Sequence, residues 1–213
     1  MSSDALIRRL SADLAPVRRR SAWRDAAIVI AACMLEIALF RALGLMRPDM
    51  GQAIGSAYMQ WKLGGLVLLA GVSCAAAIRS FAPTASSRAG LSVAIALAGG
   101  LAVAGLFIAP AGAHGDALLE RLSPLHGMLC ALSILVVSLP VMGILALLMR
   151  RGAPTHQERS ALACGLAAGA CGALVFAFCC PANDPLYVIV WYAAACLGVT
   201  AMGRWLLAQR FRL

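Results

Sequence analysis

Six stretches of the chain show no alternation of apolar and polar positions. They stay apolar for 18 to 24 residues, at 25–43, 61–78, 89–109, 126–149, 160–178 and 185–207. Each is long enough, or nearly so, to cross a hydrocarbon core of ~30 Å. A segment in lipid must satisfy its own backbone hydrogen bonds, so helix is the state these runs predict. The expected fold is all-α, a polytopic six-helix transmembrane bundle. The second run is the shortest and the weakest of the six.

Residues between the runs sharpen the boundaries. Ser123-Pro124 and Asp184-Pro185 read as N-cap plus first-turn proline, opening the fourth and sixth helices. Arg150-Arg151-Gly152-Ala153-Pro154 reads as a helix stop, and Thr155-His156-Gln157-Glu158 has the form of a capping box for the fifth helix. Pro140 is expected to kink the fourth helix. Gly165, Gly169 and Ala173 recur every four residues, a spacing that lets a neighbouring backbone come close.

Composition agrees with the pattern. Of 213 residues, 62% are hydrophobic and 13% charged, and the mean hydropathy is +0.86. Soluble domains carry about 25% charged residues, so a standard soluble enzyme, a disordered chain and a nucleic-acid-binding domain are all excluded. The net charge of +9 reflects arginines gathered on one side of the membrane. Fourteen lie before the first run, between runs 2 and 3 or 4 and 5, or at the end; only Arg47, Lys62 and Arg121 fall in the other set of loops. Both termini are therefore expected in the cytoplasm. The division is a cytoplasmic arm at 1–24, a transmembrane domain at 25–207 and a cytoplasmic tail at 208–213. The first run contains Glu36 and Arg41 and ends without a small-x-small site, so it is not expected to be a cleaved signal.

Three features carry candidate chemistry. In the arm, Leu6, Leu10, Leu14 and Val17 make one apolar stripe at helical spacing, ended by Pro16 within the stripe's last turn. So short a helix is marginal alone and needs a surface, either the inner leaflet or the groove of a soluble partner. The second feature is the cysteines. Cys33, Cys171 and Cys196 fall near mid-membrane, and Cys74 and Cys164 nearer the cytoplasm. Cys130, Cys179 and Cys180 lie at the outer edge, where two helices bring thiols to the oxidising side. These outer thiols suit a disulfide, a soft metal ion or plain packing. Eight cysteines with no Cys-x-x-Cys argue against a zinc ribbon or a thioredoxin-type site. The third feature is Glu36, near the midplane, read as a neutral side chain making one polar contact in the bundle, with a proton or ion pathway as the functional alternative. His126, one turn from Cys130, is a further metal-ligand candidate. No Ser/His/Asp set, His-x-x-x-His, phosphate loop or carboxylate pair is present.

Several ordered motifs resemble one family. They are Leu14-Ala15-Pro16-Val17-Arg18-Arg19, Arg47-Pro48-Asp49, Gly127-Met128-Leu129-Cys130 with Ser138-Leu139-Pro140, Arg150-Arg151-Gly152-Ala153-Pro154, and Cys180-Pro181-Ala182-Asn183-Asp184-Pro185-Leu186-Tyr187-Val188 leading to Trp191-Tyr192. Together they resemble the NrsF family of bacterial membrane-bound anti-sigma factors. The resemblance implies a non-enzyme in the bacterial inner membrane whose cytoplasmic N-terminus holds an extracytoplasmic-function sigma factor. It implies the lipid bilayer as the other partner, with no direct nucleic-acid contact and no small-molecule substrate. It implies no resident cofactor beyond a transient soft metal ion. Two periplasmic cysteines, Cys130 and Cys180 by motif, are then the sensors of metal or oxidative stress, and the candidate metal ligands, with Cys179 beside them. Leu6, Leu10, Leu14, Val17, Arg18 and Arg19 bind the partner. The family pattern has His before the second cysteine and an acidic pair after the proline; this chain has Cys179 and Ala182-Asn183 there. Two other classes stand beside this reading. One is a small transporter or channel built on Glu36, and the other a membrane thiol–disulfide oxidoreductase.

Overall fold

The computed structural model describes residues 21–82, 87–108, 121–152 and 154–210. The arm residues Leu6, Leu10, Leu14, Val17, Arg18 and Arg19 lie outside them. The described residues form helices and no strands. In chain order these are α1 (Ala22–Ala42), α2 (Met50–Ala53), α3 (Ala57–Ser80), α4 (Ser87–Leu106), α5 (Pro124–Arg150), α6 (Gln157–Ala177) and α7 (Pro185–Arg210). A long helix stands in each of the six apolar runs. Five of them, α3 to α7, are long and apolar enough to cross a membrane. The sixth, α1, is 21 residues long but carries Arg24, Asp25, Glu36 and Arg41.

The second run proves far from weak. α3 has 24 residues because Ser56 caps it, its Oγ accepting the Met59 N–H at 3.2 Å. The sequence pattern had obscured this extension, since Tyr58, Gln60 and Lys62 interrupt the apolar run. The turn after α1 is closed by Gly44 at φ +68, with the N–H groups of Gly44 and Leu45 returning to the carbonyls of Arg41 and Phe40. Only glycine takes that left-handed position without strain.

Two expected caps need correction. Asp184 caps α7 as expected, accepting the Leu186 N–H at 2.9 Å. Ser123 precedes α5 but sits at φ 37 and makes no side-chain cap, so Pro124 alone shapes that start. No capping box forms before α6 either: His156 occupies the cap position and its side chain accepts nothing from the helix. The stop after α5 does form, with helix ending at Arg150 and the Gly152 N–H bonded to the Met149 carbonyl.

α6 is the centre of the bundle and packs against α3, α5 and α7. It is buried nearly all round because its residues are small. Gly165 and Gly169 lie against the α7 backbone, where an added Cβ would come within 2.7 Å of the Thr200 Cα and 3.1 Å of the Cys196 Cα. The glycine spacing thus places two helix axes close together. The core divides into two clusters. One holds Phe81, Leu145, Met149 and Cys164; the other holds Ile134, Cys180, Tyr187 and Tyr192. Large apolar side chains such as Leu35, Ile95, Leu132 and Leu197 face outward. In lipid this costs nothing, which is the arrangement a spanning bundle requires. Trp23, Phe107 and Trp205 are exposed at helix ends, the positions of an interfacial aromatic belt.

Glu36 does not make the contact expected of it. Both carboxylate oxygens are buried without a hydrogen-bond partner. Its chain neighbours Met34, Leu35, Ile37 and Leu39 are apolar and supply no side-chain donor, so the side chain stands as an unsatisfied polar group in the bundle.

Candidate functional site

The antiparallel helices sort charged residues by end. Arg204 on α7 faces Glu158 on α6 at 4.0 Å, so the close of α7 and the start of α6 share one end with Arg150. The opposite end carries the first turns of α3, α5 and α7, the last turn of α6, and the segment 178–184. This end holds the outer thiols.

The segment from Cys179 to Asp184 is irregular backbone, yet nearly every part of it is tied down. The turn after α6 closes through the N–H groups of Cys179 and Cys180, both on the Phe176 carbonyl, at 2.9 and 3.0 Å. The Arg47 N–H donates to the Phe178 carbonyl at 3.2 Å. The Arg47 guanidinium, buried, forks onto Asp49 and also donates to Asn183 Oδ1 at 3.1 Å. The Tyr58 hydroxyl donates to the Ala182 carbonyl at 2.8 Å. Arg121 grips Asp184 with two bonds of 2.8 and 3.0 Å. A planar guanidinium matched to a carboxylate fixes direction as well as distance. The Asp49 carboxylate is held below its ordinary range by Arg47. Burial raises Asp184, but Arg121 and the N–H of Leu186 more than offset it, so its carboxylate is also held low.

Within this frame two thiols meet. Cys130 lies six residues into α5, roughly 9 Å along its axis. Its sulfur accepts the Tyr187 hydroxyl at 3.2 Å, and the side chain packs in the same core cluster as Cys180. Cys180, just past α6, is 1% exposed. The Cys130 thiol donates to it, Lys62 adds positive charge and the Ala182 N–H a further donor. Together these outweigh burial and lower the Cys180 thiol to about 5. Such a thiol is a thiolate at neutral pH, the nucleophilic form. Burial holds the Cys179 thiol above the ordinary value, and this side chain is not part of the contact pair.

Lys62 is the residue that sequence reasoning missed. It is 2% exposed, one of the largest fully buried side chains. Its Nζ lies 3.4 Å from the Ala182 carbonyl, 5.4 Å from the Tyr192 ring centre and 5.9 Å from that of Tyr58, and its charge acts on Cys180. A buried ammonium needs acceptors and an anion, and the carbonyl, the rings and the thiolate supply them. In the sequence Lys62 had counted only as one outer positive charge. Its place inside an otherwise apolar helix is the signal that marks it. Tyr58, Tyr187 and Tyr192 were not singled out as site residues either, although Tyr187 and Tyr192 stand in the motif that follows Cys180. His126 is exposed, and among the described residues no group of three or more His, Cys, Asp or Glu side chains is placed to hold a metal ion.

Gly127, one turn before Cys130, sets the spacing of α5 and α7. An added Cβ would fall 1.9 Å from the Trp191 ring. Trp191 fills that space and donates its indole N–H to the Leu122 carbonyl at 2.8 Å.

Comparison with known proteins places the chain in a family. The family model described as negative regulator of sigma F, NrsF, matches residues 10–212. The chain belongs to the NrsF family. It is similar to the anti-sigma-F factor NrsF of Caulobacter vibrioides, 32% identical over 213 residues, with 96% of each chain covered. It is also similar to the probable anti-sigma-F factor NrsF of Azospira oryzae, 30% identical over 212 residues and 95% of each chain. No solved structure matches the chain. NrsF proteins are negative regulators of a sigma factor, a regulatory class and not an enzymatic one. The oxidoreductase reading falls with that result. Of the residues between Cys180 and Asp184, Asn183 acts through its side chain and Ala182 through its backbone carbonyl. Asn183 accepts from Arg47, and the Ala182 carbonyl receives both Tyr58 and Lys62.

Proposed function

We propose that this protein is a transmembrane stress sensor of the bacterial inner membrane. Six helices span the bilayer and both termini lie in the cytoplasm. Its N-terminal arm sequesters an extracytoplasmic-function sigma factor and releases it when the outer thiols react. The observation that carries the reading is the meeting of Cys130 on α5 and Cys180 beyond α6 in one buried cluster, with the Lys62 ammonium on the neighbouring Ala182 carbonyl. Arginine placement supports the orientation, since the thiol end carries few basic residues.

The chemistry balances with a hydroperoxide as oxidant. The Cys180 thiolate attacks the terminal oxygen and, with one proton, yields a sulfenic acid and an alcohol or water. The Cys130 thiol then displaces water, forming the disulfide. The sulfurs lose two electrons and the peroxide oxygen–oxygen bond is reduced. The same two thiols are the ligands a soft metal ion would take in place of the oxidant. Either event fastens α5 to the end of α6 and repacks the bundle against α1, which follows the arm directly. In the arm, Leu6, Leu10, Leu14 and Val17 supply apolar contact with the sigma factor and Arg18 and Arg19 the charge. Passing from almost wholly bound to almost wholly free requires a bias of about 5.5 kcal/mol between the two states.

The test uses full-length protein in its native membrane with a reporter for the sigma factor. Replacing Cys130 or Cys180 by Ser should remove the response to stress while leaving protein level and membrane insertion intact. An unchanged dose response contradicts the sensing role. Replacing Leu10 and Leu14 together by Asp should switch the reporter on without stress; continued co-purification of the sigma factor contradicts the arm's role.

A further inference from the structure

A second pair of thiols meets inside the bundle, between α3 and the middle of α6 rather than between α5 and the end of α6. Cys74 on α3 and Cys171 on α6 place their sulfurs 3.5 Å apart. Cys33 on α1 lies against Cys171 as well. Cys171 is buried, whereas Cys33 and Cys74 are half-buried. Gly71, one turn before Cys74, borders open space.

The surroundings decide which chemistry the pair can take. A free metal cation must shed its water and the thiols their protons, both costly in an apolar bundle. Attack on a peroxide passes through separated charges, which apolar walls do not solvate. An uncharged reagent that exchanges hydroxyl for thiol avoids both costs. Trivalent arsenic does this. Arsenous acid, As(OH)3, is neutral, and each As–O bond lost takes one thiol proton away as water. Two thiols and one As(OH)3 give a dithiolate As(OH)(SR)2 and two waters, with no change in charge or oxidation state. Cys33 stands ready to exchange the remaining hydroxyl for a third As–S bond.

We propose that Cys74 and Cys171 form an intramembrane dithiol site for neutral trivalent arsenicals, resting on their sulfur contact between α3 and α6. The adduct ties two central helices together, and α1 with them when Cys33 joins. The site is independent of Cys130 and Cys180.

The experiment uses the full chain in lipid nanodiscs with Cys33, Cys130, Cys179 and Cys180 replaced by Ser, so that Cys74 and Cys171 are the one adjacent pair left to test. Phenylarsine oxide is the probe, since it takes two thiols and releases one water. Intact-mass analysis should show one phenylarsenic per chain. Labelling after denaturation should show two thiols lost from the four that remain, recovered on adding ethanedithiol. Cys74→Ser and Cys171→Ser should each weaken capture more than tenfold, and Cys164→Ser should not change it. Circular dichroism checks that each variant is folded, and Cys74→Ala serves as a second variant if serine disturbs α3. No adduct, or an adduct retained in a folded variant lacking Cys74 or Cys171, overturns the proposal.

Discussion

Replacing Gly127 by Ala adds one methyl group where the structure has an indole ring. The new Cβ would stand 1.9 Å from Trp191 Cε2 and 2.1 Å from its Nε1. No atoms coexist at that distance, so Trp191 must swing away or α5 must move outward. If the ring moves, the indole N–H leaves the Leu122 carbonyl, now at 2.8 Å. Overpacking of a filled core costs about 1–3 kcal/mol, and a lost hydrogen bond about 1 kcal/mol more. The expected destabilisation is thus about 2–4 kcal/mol. The functional cost follows from position. Cys130 is three residues beyond Gly127, and Tyr187, its hydrogen-bond donor, is four residues before Trp191. Separating the two helices here pulls Cys130 from both Tyr187 and Cys180. Protein purified in detergent should unfold at a lower temperature and form the Cys130–Cys180 disulfide more slowly under a mild hydroperoxide. Trp191→Phe removes the hydrogen bond without the clash and should cost about 1 kcal/mol, with a smaller effect on the disulfide. A Gly127→Ala protein matching the original in both measurements would refute the argument that this contact sets the thiol spacing.

Other predictions concern the frame and the charge around the site. Asp184→Asn keeps the size of the side chain and removes its charge, so the Arg121 fork weakens; loss of a half-buried pair of this kind should slow disulfide formation severalfold at unchanged protein level. Because the folded Cys180 thiol titrates near 5, below an unfolded value of 9.0, its thiolate stabilises the fold most at and above the unfolded value. That stability declines as pH falls between the two values and is lost below about 5. Ultraviolet thiolate absorbance, taken as the difference between the original protein and Cys180→Ser, should persist at pH 7 and vanish below about 5; a difference appearing only near 9.0 contradicts the assignment. Lys62→Met removes the buried positive charge and should move that titration upward, with slower reaction at pH 7.

The helices were legible because a spanning segment announces itself by length and apolar content alone. α4, α5, α6 and α7 required nothing more. The glycines of α6 were legible too, since small residues at every fourth position have few uses other than close packing. Caps were less so. Thr155 to Glu158 has the letters of a capping box, yet the chain enters α6 through His156. Cys130 and Cys180 could be matched by depth, but depth says nothing of facing direction. Their contact depends on how far the turn after Phe178 carries Cys180 back over α5, and that is a tertiary property. Lys62 was obscured by the same gap between linear and spatial order: its partners Ala182 and Cys180 lie about 120 residues away. Cys74 and Cys171 were assigned to different depths, and the packing of α3 on α6 brings them together.

The central claim is that a bond between two outer sulfurs frees the bound sigma factor. Mass spectrometry of membranes sampled before and after stress, with the sigma factor co-purified from the same samples, tests both halves at once. The account predicts a peptide linked through Cys130 and Cys180 that rises as the sigma factor is lost. Release of the sigma factor while both thiols stay free, with no ion bound to them, would contradict it.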